Sequence, residues 1–145
     1  QPNALPSVVA AELDRLNPAR IVILGGTGVV STTVERQVKA YSSSVTRQGG
    51  AQRYDTAVAV SKATYPTAGV PVVYIANGED FPDALAGAAA AGKLGGPVLL
   101  TPAGDLPPVV ATELDRLNPA RIVILGGSGV VSTTVEKQVA QYLGG

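Results

Sequence analysis

Apolar and polar residues alternate in blocks along this chain, switching between a helical period and short continuous apolar runs. Val9, Leu13 and Leu16 recur at i, i+4 and i+7, which predicts a helix over about Pro6 to Leu16. Asn17-Pro18 breaks it, and Ile21-Val22-Ile23-Leu24 then forms an unbroken apolar, largely β-branched run. Such a run suits a strand buried on both faces of a parallel sheet. Gly25-Gly26-Thr27-Gly28 turns the chain into a second helix near Thr32, where Thr32 and Glu35 have the spacing of a capping box. Val34, Val38 and Tyr41 make its apolar face.

The middle of the chain continues the pattern. Ser42-Ser43-Ser44 reads as a linker, Val45-Thr46-Arg47 as a brief strand, and Arg53 to Thr64 as a helix after Gln48-Gly49-Gly50. Val72 to Ala76 is a predicted strand, closed by the turn Asn77-Gly78-Glu79-Asp80. A helix over about Phe81 to Lys93 follows, with Asp80 at its N-cap and Asp83 near N3, ended by Gly95-Gly96. Val98-Leu99-Leu100 is the next strand.

Leu5 to Tyr41 then returns as Leu106 to Tyr142 with six substitutions, at a constant offset of 101 positions. The second copy predicts strand Ile122 to Leu125 and a capping pair Thr133 and Glu136. Alternating strands and helices predict an α/β fold, a parallel sheet with right-handed crossovers wired like a flavodoxin-like or Rossmann-like module. The repeat predicts one and a half tandem units: residues 1–42 as the carboxy-terminal half of a preceding unit and 43–145 as a complete one. Tandem arrays more often bind or assemble than catalyse.

Composition narrows the chemistry. The chain has no His and no Cys, which excludes a Ser-His-Asp triad, a Cys-His pair, a disulfide and a thiolate or imidazole metal site. Its 11 basic and 11 acidic side chains balance, against the basic stripe of a nucleic-acid binder. No apolar run reaches the roughly 20 residues of a membrane-spanning helix. No cofactor is expected. The chain begins at Gln1 without Met or signal peptide, the expectation for a processed or trimmed piece of a longer polypeptide.

Four segments, in this order, carry a resemblance: Gly50-Ala51-Gln52-Arg53-Tyr54-Asp55-Thr56-Ala57, Ala76-Asn77-Gly78-Glu79-Asp80-Phe81-Pro82-Asp83-Ala84-Leu85, Gly96-Pro97-Val98-Leu99-Leu100-Thr101-Pro102 and Ile122-Val123-Ile124-Leu125-Gly126-Gly127. Together they resemble the cell-wall-binding repeat type 2 family of Gram-positive bacteria. The family commonly has Asp just before Arg-Tyr, where this chain has Gln52. The resemblance implies a secreted, non-catalytic, cell-surface module of flavodoxin-like fold that anchors its protein non-covalently to an anionic cell-wall polymer. It also implies grouping in threes, so that a homo-oligomer, with a trimer favoured, or neighbouring repeat modules become expected partners.

In parallel sheets ligands lie beyond the carboxyl ends of the strands, where helix N-termini point. That edge comprises Gly25 to Gly28, Gly49 to Tyr54, Asn77 to Asp83, Thr101 to Asp105 and Gly126 to Gly129. From it we take Arg53, Tyr54, Gly78, Asp80, Asp83, Thr101, Gly126, Gly127 and Ser128 as candidate ligand-binding residues. Arg53 has the fork for a phosphate and Tyr54 a ring for a sugar face. Alternatively, Arg53 pairs with Asp80 or Asp83 and Tyr54 is core. Glu79, Asp80 and Asp83 admit three readings: helix capping, paired acids for glycoside hydrolysis, or a divalent cation site. The glycine turns are either anion cradles or tight strand-to-helix turns, and GGTGVV lacks the third glycine of a dinucleotide fingerprint. The small-residue helix Asp83 to Gly92 packs either within its own unit or against another.

Overall fold

The computed structural model describes residues 3–80 and 82–143. The predicted alternation is present as α1 (Ser7–Leu16), β1 (Ile21–Leu24), α2 (Thr32–Val38), β2 (Val45–Gln48), α3 (Arg53–Thr64), β3 (Val73–Asn77), α4 (Pro82–Leu94), β4 (Val98–Thr101), α5 (Pro108–Leu117), β5 (Ile122–Ile124) and α6 (Thr133–Val139). All strand pairs are parallel. β4, β3 and β5 form one sheet in that order, with Ile75 opposite both Leu99 and Ile124. β1 and β2 form a separate pair, Ile21 opposite Val45. The fold is α/β, as the alternation requires.

β3 is buried at every position because helices cover both of its faces. Side chains alternate across a strand. Val73 and Ile75 therefore enter a cluster with Val58 of α3, Leu99 of β4, Val110, Leu114 and Leu117 of α5, and Val135 and Val139 of α6. Val72 and Tyr74 point the other way, against Ala91 of α4. A Cβ on Gly87 would sit 2.0 Å from Leu125 Cδ1, so small residues let α4 lie close on its own sheet.

The helix ends depart from the sequence reading in one respect. The caps of α2 and α6 are Ser31 and Ser132, whose Oγ atoms accept from the amides of Val34 and Val135 at 3.3 Å. Thr32 and Thr133 are the first helical residues instead. Glu35 does not reach back to the cap, because Arg47 and Lys39 claim its carboxylate. Asn17 and Asn118, at φ 42° and 44°, end α1 and α5 in the left-handed conformation that Asn tolerates. Asp80, the expected N-cap of α4, stands two residues ahead of Pro82, where the helix is first described, and Phe81 between them lies outside the described residues.

β2 hydrogen-bonds to β1 and not to the sheet of β3. The strand expected to open the complete unit thus completes a pair begun in the half unit. Ile23, Val34 and Val38 form a small core beneath that pair, with Leu13 and Val45 against them.

The two copies of the repeat have different surroundings. Val110, Leu114 and Leu117 of α5 are fully buried, whereas Val9 and Leu16 of α1 are 42% and 54% exposed. The same truncation should therefore have unequal effects. Leu117→Ala is expected to cost about 2–5 kcal/mol, and Leu16→Ala well under 1 kcal/mol. Urea unfolding of the two variants, read at equal protein concentration, measures the difference.

Candidate functional site

A cleft of about 860 Å³ opens between the carboxyl-terminal ends of the β1–β2 pair and of the β4–β3–β5 sheet. One wall is the end of β1 and its turn: Leu24, Gly25, Gly26 and Val29. The other wall is the start of α3, from Gly50 to Tyr54 with Thr56 and Ala57, together with Gly78, Glu79 and Leu100.

Backbone contact fixes the two walls relative to each other. Gly25 N–H donates to Gln48 C=O at 2.8 Å, continuing the ladder past the strand end. A Cβ on Gly49 would stand 2.4 Å from the Gly25 carbonyl carbon, so only glycine permits this approach. Arg47 then clamps the joint. Its Nη1 donates to Gly25 C=O at 2.7 Å, while Nε and Nη2 donate to Glu35 Oε2 at 3.1 and 2.8 Å.

The loop leading into α3 is tied to that helix. Gln52 N–H donates to Asp55 Oδ2 at 2.9 Å, and Gly50 N–H to Thr56 Oγ1 at 3.2 Å. Gln52, the departure from the family pattern, is the N-cap residue and faces the cleft. Arg53 is exposed, and its Nη1 donates to the Gly78 carbonyl. Among the described residues Arg53 forms no ion pair with Asp80 or Asp83, and the Gly78 carbonyl is what holds it in place. Tyr54 is half-buried against the main core, as the core reading has it, and also lines the cleft.

The remaining candidates lie elsewhere. Asp80 is exposed and outside the cleft lining. Asp83 lies against Gly126, where a Cβ would come 2.7 Å from its Oδ2. Thr101 is fully buried, its hydroxyl within 2.8 Å of Asp105 C=O and 3.0 Å of Pro102 C=O, closing its own loop. Gly126, Gly127 and Ser128 are exposed on the turn after β5. Asn77 explains the split. Its Nδ2 donates to Val130 C=O at 2.7 Å and its Oδ1 accepts from Glu79 N–H at 2.6 Å. With Asp83 it fills the switch point between β3 and β5, the crevice where an α/β sheet usually takes its ligand.

Arg53, Tyr54 and Gly78 are thus brought together, and the other six are not. Leu24, Val29, Thr56, Ala57 and Leu100 line the cleft without having been singled out. Leu24 carried no distinguishing signal, since its copy Leu125 is packed under α4. The charged side chains lining the cleft are Arg53 and Glu79, one of each sign, among the apolar side chains of Leu24, Val29 and Leu100. Among the described residues no three acids converge as a metal site would require.

Sequence comparison agrees with this architecture. The pattern of cell wall binding domain 2 (CWB2) matches residues 47–136, and the chain belongs to that family. It is 37% identical over 139 residues to an uncharacterised protein of Pyrococcus horikoshii, covering 94% of this chain and 41% of the relative. It is 33% identical over 141 residues to the amidase enhancer of Bacillus subtilis, covering 96% of this chain and 18% of that protein. Cwp6 from Clostridium difficile superposes with a TM-score of 0.87 at 29% identity, over 99% of this chain and 23% of Cwp6. The chain therefore spans less than half the length of each. The family is a wall-binding one, which places the module's partner in the cell wall. No helix among the described residues is long and apolar enough to cross a membrane.

The clamp at the joint titrates. Hydrogen bonds from Arg47, helped by Lys39, hold the Glu35 carboxyl below the usual carboxylate range despite partial desolvation. A carboxyl depressed on folding stabilises the fold fully above its unfolded value and ceases to as pH falls through its folded one. The joint should loosen only in acid, below the usual carboxylate range. Thermal unfolding from pH 7 to pH 2 is expected to fall less steeply in Glu35→Gln than in the parent chain.

Proposed function

We propose that this chain is a non-catalytic anchoring module of a secreted surface protein, and that its cleft holds an anionic polymer of the cell wall. The observation that supports this most is the convergence, in one cleft, of Arg53, which makes no ion pair among the described residues, with the ring of Tyr54 and the apolar side chains of Leu24 and Leu100. A guanidinium takes phosphate or carboxylate through charge-assisted hydrogen bonds, and apolar faces take the flat side of a sugar. Membership of a wall-binding family supplies the partner. In this reading Gly78 positions Arg53, while Asp80, Asp83 and Thr101 shape the loops around the site.

The repeat extends the reading. Gly25, Gly26 and Val29 correspond to Gly126, Gly127 and Val130 at the same 101-residue offset. The turn that carries Gly126, Gly127 and Ser128 is then the first wall of an equivalent cleft, completed by a following unit. Ligand sites lie at joints, and a chain of units gains one with each joint. Any catalysis in the parent protein would reside in other domains, the wall module supplying attachment. Association of chains, with a trimer as the family's grouping suggests, is a second reading, favoured by the exposed Val8, Val9 and Leu16.

Retention of the chain on purified walls, with and without their anionic secondary polymer, tests the proposal. Arg53→Ala should weaken retention about 10-fold or more, the effect of losing one charged hydrogen-bond donor. Lys62→Ala, an exposed cation on α3 away from the cleft, should leave it unchanged. Glu79→Gln should tighten binding to an anionic polymer, and binding should weaken with salt. Equal retention on walls stripped of the polymer would overturn the ligand class.

A further inference from the structure

Four asparagines occur in the chain, and the residues that follow them set them apart chemically. An asparagine loses its side-chain amide when the backbone nitrogen of the next residue attacks Cγ. Asn17 and Asn118 precede proline, which has no N–H to give up, and Asn3 precedes alanine, whose methyl group crowds the attack. Asn77 precedes glycine, the residue that leaves its nitrogen most open and its backbone most free.

The fold requires both members of this pair, for separate reasons. Asn77 ends β3 at 6% exposure, its Nδ2 donating to Val130 C=O at 2.7 Å and its Oδ1 accepting from Glu79 N–H at 2.6 Å. Asparagine supplies that donor and acceptor on one short side chain, whereas an ionised aspartate can only accept. A Cβ on Gly78 would stand 3.0 Å from Tyr54 Cε1 and 3.2 Å from both Arg53 Cδ and Leu100 Cβ, so glycine keeps this corner of the cleft from crowding. A chemically labile pair thus results from two packing demands at adjacent positions.

The same contacts hold the reaction off. Gly78 N–H, which must lose its proton before attack, donates to Thr101 C=O at 2.8 Å, next to the strand pair of Asn77 with Thr101. The amide that must leave is held by Val130, on the loop before α6. Attack needs the end of β3 to part from Thr101 and from Val130 together. That is a local opening, and its frequency sets the rate.

We propose that Asn77-Gly78 is a modification site: a spontaneous deamidation site that the fold keeps shut and that disables the cleft once it reacts. The deprotonated Gly78 nitrogen bonds to Asn77 Cγ. The Cγ–Nδ2 bond breaks, and ammonia leaves with the proton that the nitrogen gave up, closing a five-membered imide. Water then opens the imide. Cleavage at Cγ leaves aspartate, and cleavage at the main-chain carbonyl leaves isoaspartate, with the chain running through the side chain. Aspartate sets a carboxylate, which cannot donate, against the Val130 carbonyl in a buried place. Isoaspartate lengthens the main chain by a methylene just ahead of Gly78, whose carbonyl holds Arg53 and whose nitrogen pairs with Thr101. Loss of ammonia makes the change irreversible, and either product loosens the tie between β3 and the loop before α6. That it also ends wall retention rests on the anchoring function proposed above.

The test incubates the chain in mildly alkaline buffer, folded and in guanidinium chloride, and maps deamidation by mass spectrometry in water enriched in heavy oxygen. Unfolded, position 77 should convert first of the four asparagines. Folded, it should convert at least ~10-fold more slowly, and speed up in step with exchange of the Gly78 amide as denaturant is added. Asn77→Asp should melt below the parent. Converted chain, separated by its added negative charge, should lose ~10-fold or more in retention on purified walls. Conversion as fast in the folded chain as in the unfolded one would overturn the proposal, as would first conversion at another asparagine. So would an Asn77→Asp variant that melts with the parent, or converted chain that binds walls as well as a parent that binds. The conversion kinetics need no variant to fold. Failure of the unconverted chain to bind walls falls on the anchoring function alone, because conversion and melting are read without walls.

Discussion

Burial of β3 on both faces is the constraint around which the rest is arranged. A strand with no exposed residue needs helices above and below and a neighbour at each edge, and this chain supplies them from three directions in sequence. α4 covers one face, α3, α5 and α6 close the other, and β4 and β5 occupy the edges. β3 ends at Asn77, whose amide ties the turn after β3 to the loop before α6. That tie occupies the usual crevice, and the cleft opens instead between the β1–β2 pair and the β4–β3–β5 sheet. The position of the cleft is thus a consequence of how the central strand is finished.

The two copies of the repeat separate what local sequence decides from what it does not. α1 and α5 have equivalent limits, end on left-handed Asn residues and hold the same Glu–Arg pair, so these features are local. Burial is not. It depends on whether another segment is present to cover the face, and identical residues range from fully buried to half-exposed accordingly. Helix periodicity describes a face that can be buried, and only the partner makes it core.

The same distinction explains what could be read in advance. Continuous apolar runs identified β1, β3 and β4 within a residue, and Gly and Asn-Pro punctuation set the helix ends. The caps were misplaced by one residue because Ser31 and Thr32 are both good cap formers, and the choice rests on which hydroxyl the backbone turns inward. Arg53, Tyr54 and Gly78 were legible because their chemistry is distinctive and adjacent loops converge at a parallel sheet's carboxyl edge. Asp83, Thr101 and the turn from Gly126 to Ser128 lie on the same edge and belong to other contacts. Which loops meet is set by the pairing of β2 with β1, across a boundary where the sequence shows only a serine linker. Leu24 and Leu100 were illegible for that reason: an apolar residue at a strand end joins a cleft or a core according to what faces it.

That pairing also has a mechanical meaning. β1 and β2 run in the same direction and are joined through α2, so tension along the chain pulls β1 from its amino end and β2 from its carboxyl end. In a parallel pair those pulls oppose each other along the strand axes. The ladder from Ile21–Val45 to Leu24–Gln48, extended by the Gly25 amide, is loaded in shear, all its hydrogen bonds sharing the force at once. An antiparallel hairpin in the same place would open one bond at a time. The joint that shapes the cleft is therefore built in the geometry that best resists being pulled apart.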